Sequence, residues 1–205
     1  MAKVYFYYGT MNSSKTLNLL ATAHNFESQG KKILCFKPEK DDRDIDIRTR
    51  AGLSRMADVV LGKDDNDIVK HVRDNGYIDL HAILVDEAQF LTKEQILGFV
   101  EVADIIGIPV FFYGLKTDFK GELFEGSKAL IELASELVEV KMECSYCDSK
   151  ATMNVRLDKD GNGVFEGEQI LTGDTKVTEA VEYYYKPVCR KCFMQSKNGK
   201  ILGRK

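Results

Sequence analysis

The chain has 205 residues, 44% of them apolar and 30% charged, with a formal net charge of −3. That length buries one substantial core or two small ones, and the mild acidity argues against a broadly basic nucleic-acid surface. No apolar run approaches the roughly 18 residues of a membrane span, and the opening MAKVYFYYG lacks the apolar core and cleavage site of a secretory leader, so a cytoplasmic protein is expected.

KVYFYY, rich in valine and aromatic residues and stopped by Gly9, predicts a buried strand. YYGTMNSSKT follows. Gly9, Thr10, Met11, Asn12, Ser13, Ser14, Lys15 and Thr16 fit the phosphate-loop pattern G-x-x-x-x-G-K-[ST], except that Ser14 stands at the second glycine. In such a loop, successive backbone N–H groups turn toward an anion, lysine adds a point charge and the Thr16 hydroxyl can ligate Mg²⁺. The second glycine serves either a positive φ or the close approach of a phosphate. Serine at positive φ costs about 1 kcal/mol or more, which weakens the site without removing its logic. Taken alone, the loop also fits a chance spacing in an ordinary strand–helix turn.

Lys15 to Ser28 has helical apolar spacing through Leu19, Leu20, Ala23 and Phe26. KILCFK is a second strand, ended by Pro38, with Cys35 as plain core. EKDDRDIDIRTRAGLS is highly charged and without period, which predicts a mobile surface loop. DNDIVKHVRD predicts a short helix, and HAILVDEAQF a strand whose apolar run stops at Asp86 and Glu87. Strand C-termini line the ligand crevice of a parallel sheet. Asp86 is therefore a candidate for a Mg²⁺ shell and Glu87 for a proton acceptor. The alternative is an acidic pair that only caps the next helix or faces water.

Thr92 and Gln95 form a capping box ahead of another helix; IPVFFYGL is a strand, EGSKALIELAS a helix and ELVEVKME a strand. Apolar strands alternating with amphipathic helices predict an α/β domain over 1–143, a parallel sheet covered on both faces. From Cys144 the composition turns rich in turn residues, predicting a small unit over 144–193 and a frayed tail over 194–205. Cys144-x-x-Cys147 and Cys189-x-x-Cys192 supply four thiolates for one tetrahedral Zn²⁺. With every position filled by protein, that zinc is structural. Two disulfides do not suit a cytoplasm, and two pairs do not suit a redox dithiol.

YYGTMNSSKT, LVDEAQFL, YGLKTDFKGELFEGS and VCRKC occur in an order that resembles the type II thymidine kinases, including bacterial and bacteriophage members, over nearly the whole chain. The resemblance implies a fold like that of phosphate-loop (RecA-like) NTPases with a zinc-binding lasso, and transfer of phosphate from Mg-ATP to the 5′-hydroxyl of thymidine and of deoxyuridine. It implies that Gly9 to Thr16, Arg50 and Gln89 lie with the phosphates, Asp86 with Mg²⁺, and that Glu87 is the general base. Met11, Phe90, Leu115 and Phe119 match the thymine walls, although Phe90 also reads as an ordinary core aromatic. Gln169, Ile170, Leu171, Thr172 and Gly173 match the stretch whose backbone contacts the base. Tyr185, four residues before Cys189, matches the lasso tyrosine, ahead of its neighbours Tyr183 and Tyr184. A homotetramer and end-product inhibition are implied too, while the acidic balance and the lack of a long apolar run lead to the expectation of no nucleic-acid or membrane partner.

The sequence departs from that family at Ser14 and in the longer stretch GDTKVTEAVEYYY, which bear on ATP turnover and on lasso closure. Two rival readings exist. One is a nucleotide-binding regulator inactivated by Ser14; the other is a zinc-containing, nucleic-acid-dependent ATPase, which the acidic balance disfavours.

Overall fold

The computed structural model describes residues 2–39, 45–169 and 183–203. Strands β1 (Val4–Gly9), β2 (Lys32–Pro38), β5 (Val59–Leu61), β6 (Leu80–Val85), β7 (Val110–Leu115) and β8 (Glu136–Glu139) form one sheet in the order β5-β2-β6-β7-β1-β8. Every neighbouring pair is parallel. Because the central strands are apolar on both sides, each face needs a helical cover. Helix α1 (Lys15–Glu27) covers one face, where Leu19 and Ala23 meet Ile33, Cys35, Leu84 and Tyr113. Helices α2 (Ile68–Asp74), α3 (Lys93–Glu101) and α4 (Glu125–Leu133) cover the other, with Phe99 edge-on to both Phe36 and Phe112. Cys35 is wholly buried, as expected of a core residue.

The capping box closes as predicted: Gln95 N–H donates to the Thr92 hydroxyl, and the Gln95 side chain accepts from Thr92 N–H. Helix α3 then widens into a π turn over Val102–Ile106 and stops at Gly107, where φ is 86°.

The charged segment expected to be a mobile loop instead carries a hairpin of β3 (Asp46–Arg48) and β4 (Ser54–Met56). One apolar residue anchors it, since Ile47 is buried in the core beneath α1. Lys37 Nζ donates to the Asp46 carbonyl at 2.8 Å, and Arg55 pairs with Glu27 of α1 and with Asp58. A single buried isoleucine among so many charges leaves no periodic signal.

The cysteine-bearing unit pairs β9 (Met153–Leu157) antiparallel with β10 (Tyr184–Val188) and ends in α5 (Arg190–Lys197). Helix α5 thus runs into the stretch expected to fray, because Phe193 packs edge-on against Phe165 and Ser196 is buried. No helix among the described residues is long and apolar enough to cross a membrane.

Candidate active site

Strand β1 delivers the phosphate loop to the C-terminal edge of the sheet, and β6 delivers the acidic pair; β7 lies between them. The loop is tight at Gly9, where a Cβ would come within 2.7 Å of the Val140 carbonyl. It is also twisted: Asn12 (φ 65°) and Ser14 (φ 63°) are both left-handed. Asparagine tolerates that region, whereas serine does so at roughly 1 kcal/mol. The position where the pattern asks for glycine therefore has the backbone that glycine suits.

Lys15 Nζ folds back over the loop, donating to the Thr10 carbonyl at 2.6 Å and to Ser13 Oγ at 3.4 Å. Protein crowds the ammonium, and this burial pulls Lys15 down to about 8 against the opposing pull of Glu87 and Asp86.

Thr16 Oγ1 lies 3.4 and 3.3 Å from the two carboxylate oxygens of Asp86. These gaps exceed an ordinary O–H···O contact of about 2.7–2.8 Å. They approach the ~3 Å edge of an octahedron with bonds near 2.1 Å, so this pair of hard oxygens fits a small divalent cation. Asp86 itself is raised well above the ordinary carboxylate range. Burial is the larger cause and the Glu87 charge the second, while hydrogen bonds from Glu87 N–H and Thr16 pull the other way.

Glu87 has a left-handed backbone of its own, with φ 50°. The buried Gln89 then aims it: Gln89 Nε2 donates to Glu87 Oε2, while Gln89 Oε1 accepts from Leu115 N–H at 2.9 Å. Gly114 makes room for this amide, since a Cβ there would stand 2.7 Å from Gln89 Oε1.

One cleft of about 940 Å³ takes in Met11, Asn12, Ser13, Ser14, Lys15 and Thr16 at one end. Asp86, Glu87 and Gln89 line its middle, and Phe90, Leu115, Phe119, Gln169 and Tyr185 the other end. Arg50 lines it from the turn of the β3–β4 hairpin. Gly9 and Thr10 lie behind it, in a small crevice next to Thr117 and Asn154. Phe90 is both wall and packing partner, edge-on to Phe124 at 5.6 Å between ring centroids. Gln169 Nε2 donates to Asp118 Oδ2 at 3.0 Å. The other four residues matched to base contacts, Ile170, Leu171, Thr172 and Gly173, lie outside the described residues.

Of the three consecutive tyrosines, Tyr185 faces Phe119 at 6.5 Å, Tyr183 stacks on Arg156, and Tyr184 is 38% exposed. Strand alternation separates them. Sequence reasoning passed over Asn154, Asp118 and Arg156. Alternation in MNVRL was the available signal, hidden inside a segment read as turns.

In the cysteine unit the four sulfurs lie within 4.8 Å of one another, with Cys147 3.6 Å from Cys189 and 3.9 Å from Cys192. A tetrahedral thiolate centre with bonds near 2.3 Å has sulfur–sulfur edges of about 3.8 Å, so the quartet fits a metal ion. All four are free thiols. Tyr146 N–H points at Cys144 Sγ and Cys192 N–H at Cys189 Sγ, both at 3.5 Å, which favours thiolate character and fixes each knuckle. Hydrogen bonds from Ser149 pull Cys147 down, and burial pushes Cys192 up.

A family model described as thymidine kinase matches residues 2–193. The thymidine kinase of Listeria monocytogenes serotype 4b (strain F2365) is 43% identical over 196 residues, 94% of this chain and 96% of that protein. That of Streptococcus gordonii (strain Challis) is 42% identical over 197 residues, 95% and 97% of the two chains. That of Legionella pneumophila (strain Paris) is 39% identical over 206 residues, 100% of this chain and 95% of its own.

Proposed function

This chain belongs to the thymidine kinase family, and from that premise we propose that it transfers the γ-phosphoryl group of ATP to the 5′-hydroxyl of thymidine, giving dTMP and ADP. The observation that carries this reading is the meeting of Lys15, the Thr16–Asp86 pair and Glu87 in a cleft whose far end is aromatic. Phosphoryl transfer asks little covalent chemistry of a protein; positioning and charge neutralisation do most of it.

Lys15 and the N–H groups of the loop hold the outer phosphates. Thr16 and Asp86 would hold Mg²⁺, which when bound offsets phosphate charge. Arg50 reaches the phosphates from the hairpin. Glu87 accepts the proton of the 5′-hydroxyl as its oxygen bonds to the γ-phosphorus and the bond to ADP breaks, and Gln89 keeps Glu87 aimed. Phe90, Phe119, Leu115, Met11 and Tyr185 supply the flat apolar walls that a base favours. Deoxyuridine, which differs only by a methyl group, is a substrate too. The cysteine quartet holds zinc as a staple, since no coordination position is left for water. The same family resemblance implies a homotetramer, testable by light scattering as four times the chain mass of 23.2 kDa.

Purified protein incubated with Mg-ATP and a nucleoside panel, products resolved by chromatography beside a metal analysis, should yield dTMP and one zinc per chain. ATP binding without turnover of any nucleoside would replace this reading with a regulator. ATP hydrolysis stimulated by DNA or RNA, with no nucleotide product, would replace it with a nucleic-acid-dependent ATPase.

A further inference from the structure

Strand β9 has two faces with different neighbours. Val155 and Leu157, both fully buried, join the core of the metal unit with Cys144, Cys189 and Phe193. Asn154 and Arg156 are out of phase with them and so project from the opposite face. Both are also buried, at 4% and 2% exposure, and neither has a role in the phosphoryl-transfer scheme above.

Asn154 Oδ1 accepts the N–H of Met11 at 2.8 Å. The acceptor therefore comes from the metal unit and the donor from the phosphate loop, one residue before left-handed Asn12. A loop that holds two non-glycine residues at positive φ needs support from outside itself, and this bond supplies it.

Arg156 serves the other end of the cleft. Its guanidinium carbon lies 3.6 Å from the centre of the Phe119 ring and 4.7 Å from that of Tyr183. Nη2 donates to the Glu166 carbonyl, and Nε is buried without a hydrogen-bond partner among the described residues. An arginine cannot shed its proton. A permanent cation in so dry a place is tolerable only where its π faces and carbonyl stay put, and Phe119, one wall of the nucleoside end, is fixed in return.

We propose that β9 positions both halves of the site, Asn154 setting the phosphate loop and Arg156 setting the Phe119 wall. The assignment of ATP to one half and thymidine to the other rests on the reading under Proposed function. On this view the metal cluster, through Cys189 at the end of β10 and the β9–β10 ladder, holds the frame that spaces donor from acceptor. Arg156 is a positioning residue that acts through Phe119; Asn154 acts through Met11 and itself lines the cleft.

The test is a crossed pair of variants in full-length, metal-replete protein, with ATP and thymidine affinities titrated separately. Asn154→Ala should weaken ATP about 5- to 10-fold, the worth of one hydrogen bond, weaken thymidine by clearly less, since Met11 also lines the nucleoside walls, and speed hydrogen exchange of the Met11 amide. Arg156→Met should weaken thymidine by about 5- to 10-fold and ATP by less than about 2-fold, with bound metal unchanged. Arg156→Lys keeps charge and part of the stacking, so it should fall between, and it carries this arm if the methionine variant fails to fold. Equal weakening of both ligands by each variant, or no change in either, would overturn the proposal. If the wild-type protein binds no thymidine, the substrate reading has failed; Met11 amide exchange in Asn154→Ala then decides the phosphate half alone.

Discussion

At the end of the cleft that we assign to the phosphates, Asn12, Ser14 and Glu87 sit on left-handed backbone, and burial pulls Lys15 down and pushes Asp86 up. At the end that we assign to the nucleoside, Phe90, Phe119 and Tyr185 rest on other rings and on the stacked guanidinium of Arg156, on backbone without positive φ. The first end combines strained backbone with buried charge; the second is built from packed rings. Damage at the phosphate end should therefore show in turnover and pH dependence, and damage at the nucleoside end in substrate affinity.

The largest effect should come from Lys15→Met. Loss of the charge over the phosphates should lower kcat/KM by on the order of 10³-fold with thymidine binding intact, measured by steady-state assay and thymidine titration. A fall confined to thymidine affinity would break the contrast between the two ends. Next is Glu87→Gln, for which turnover should drop by about 10²-fold or more while both ligands still bind. Unchanged turnover would take Glu87 out of its role.

A smaller effect concerns pH. Lys15 is pulled down to about 8, so the free protein loses this charge as pH rises through that value, while bound phosphate favours the protonated form. ATP affinity should be flat on this account below pH 8, then weaken by up to about 10-fold per pH unit with proton uptake on binding. Calorimetry in two buffers of different ionisation heat measures the uptake; thymidine affinity should not follow.

The smallest change is Ser14→Gly. Relief of about 1 kcal/mol of left-handed strain outweighs roughly 0.5 kcal/mol of added chain entropy. Thermal melting should rise by about 1–2 °C, with activity kept or raised. A large loss of activity would mean that the loop is built around the serine.

Legibility in the sequence follows how local each cause is. The strand–loop–helix at Gly9–Thr16, the Asp86–Glu87 pair and the cysteine knuckles are contiguous, so their chemistry can be read in a few residues. The sheet could be read because apolar runs and helical spacing alternate. The β3–β4 hairpin could not, since Ile47 is one buried side chain in a charged stretch. Asn154 and Arg156 carry no such signal, because their contacts are with Met11 and Phe119, far away in the chain. The aim of Glu87 depends on its own left-handed φ, which no motif encodes, and on the amide of Gln89, which the motif contains without showing its contact with Glu87.

Gly114 gives that last arrangement a wider meaning. A methyl group there would arrive 2.7 Å from Gln89 Oε1 and 3.1 Å from Gln89 N, on a side chain with almost no open space into which to retreat. The harm would register as a misdirected Glu87 carboxylate. The residue with no side chain is thus the one that sets how far Glu87 can drift.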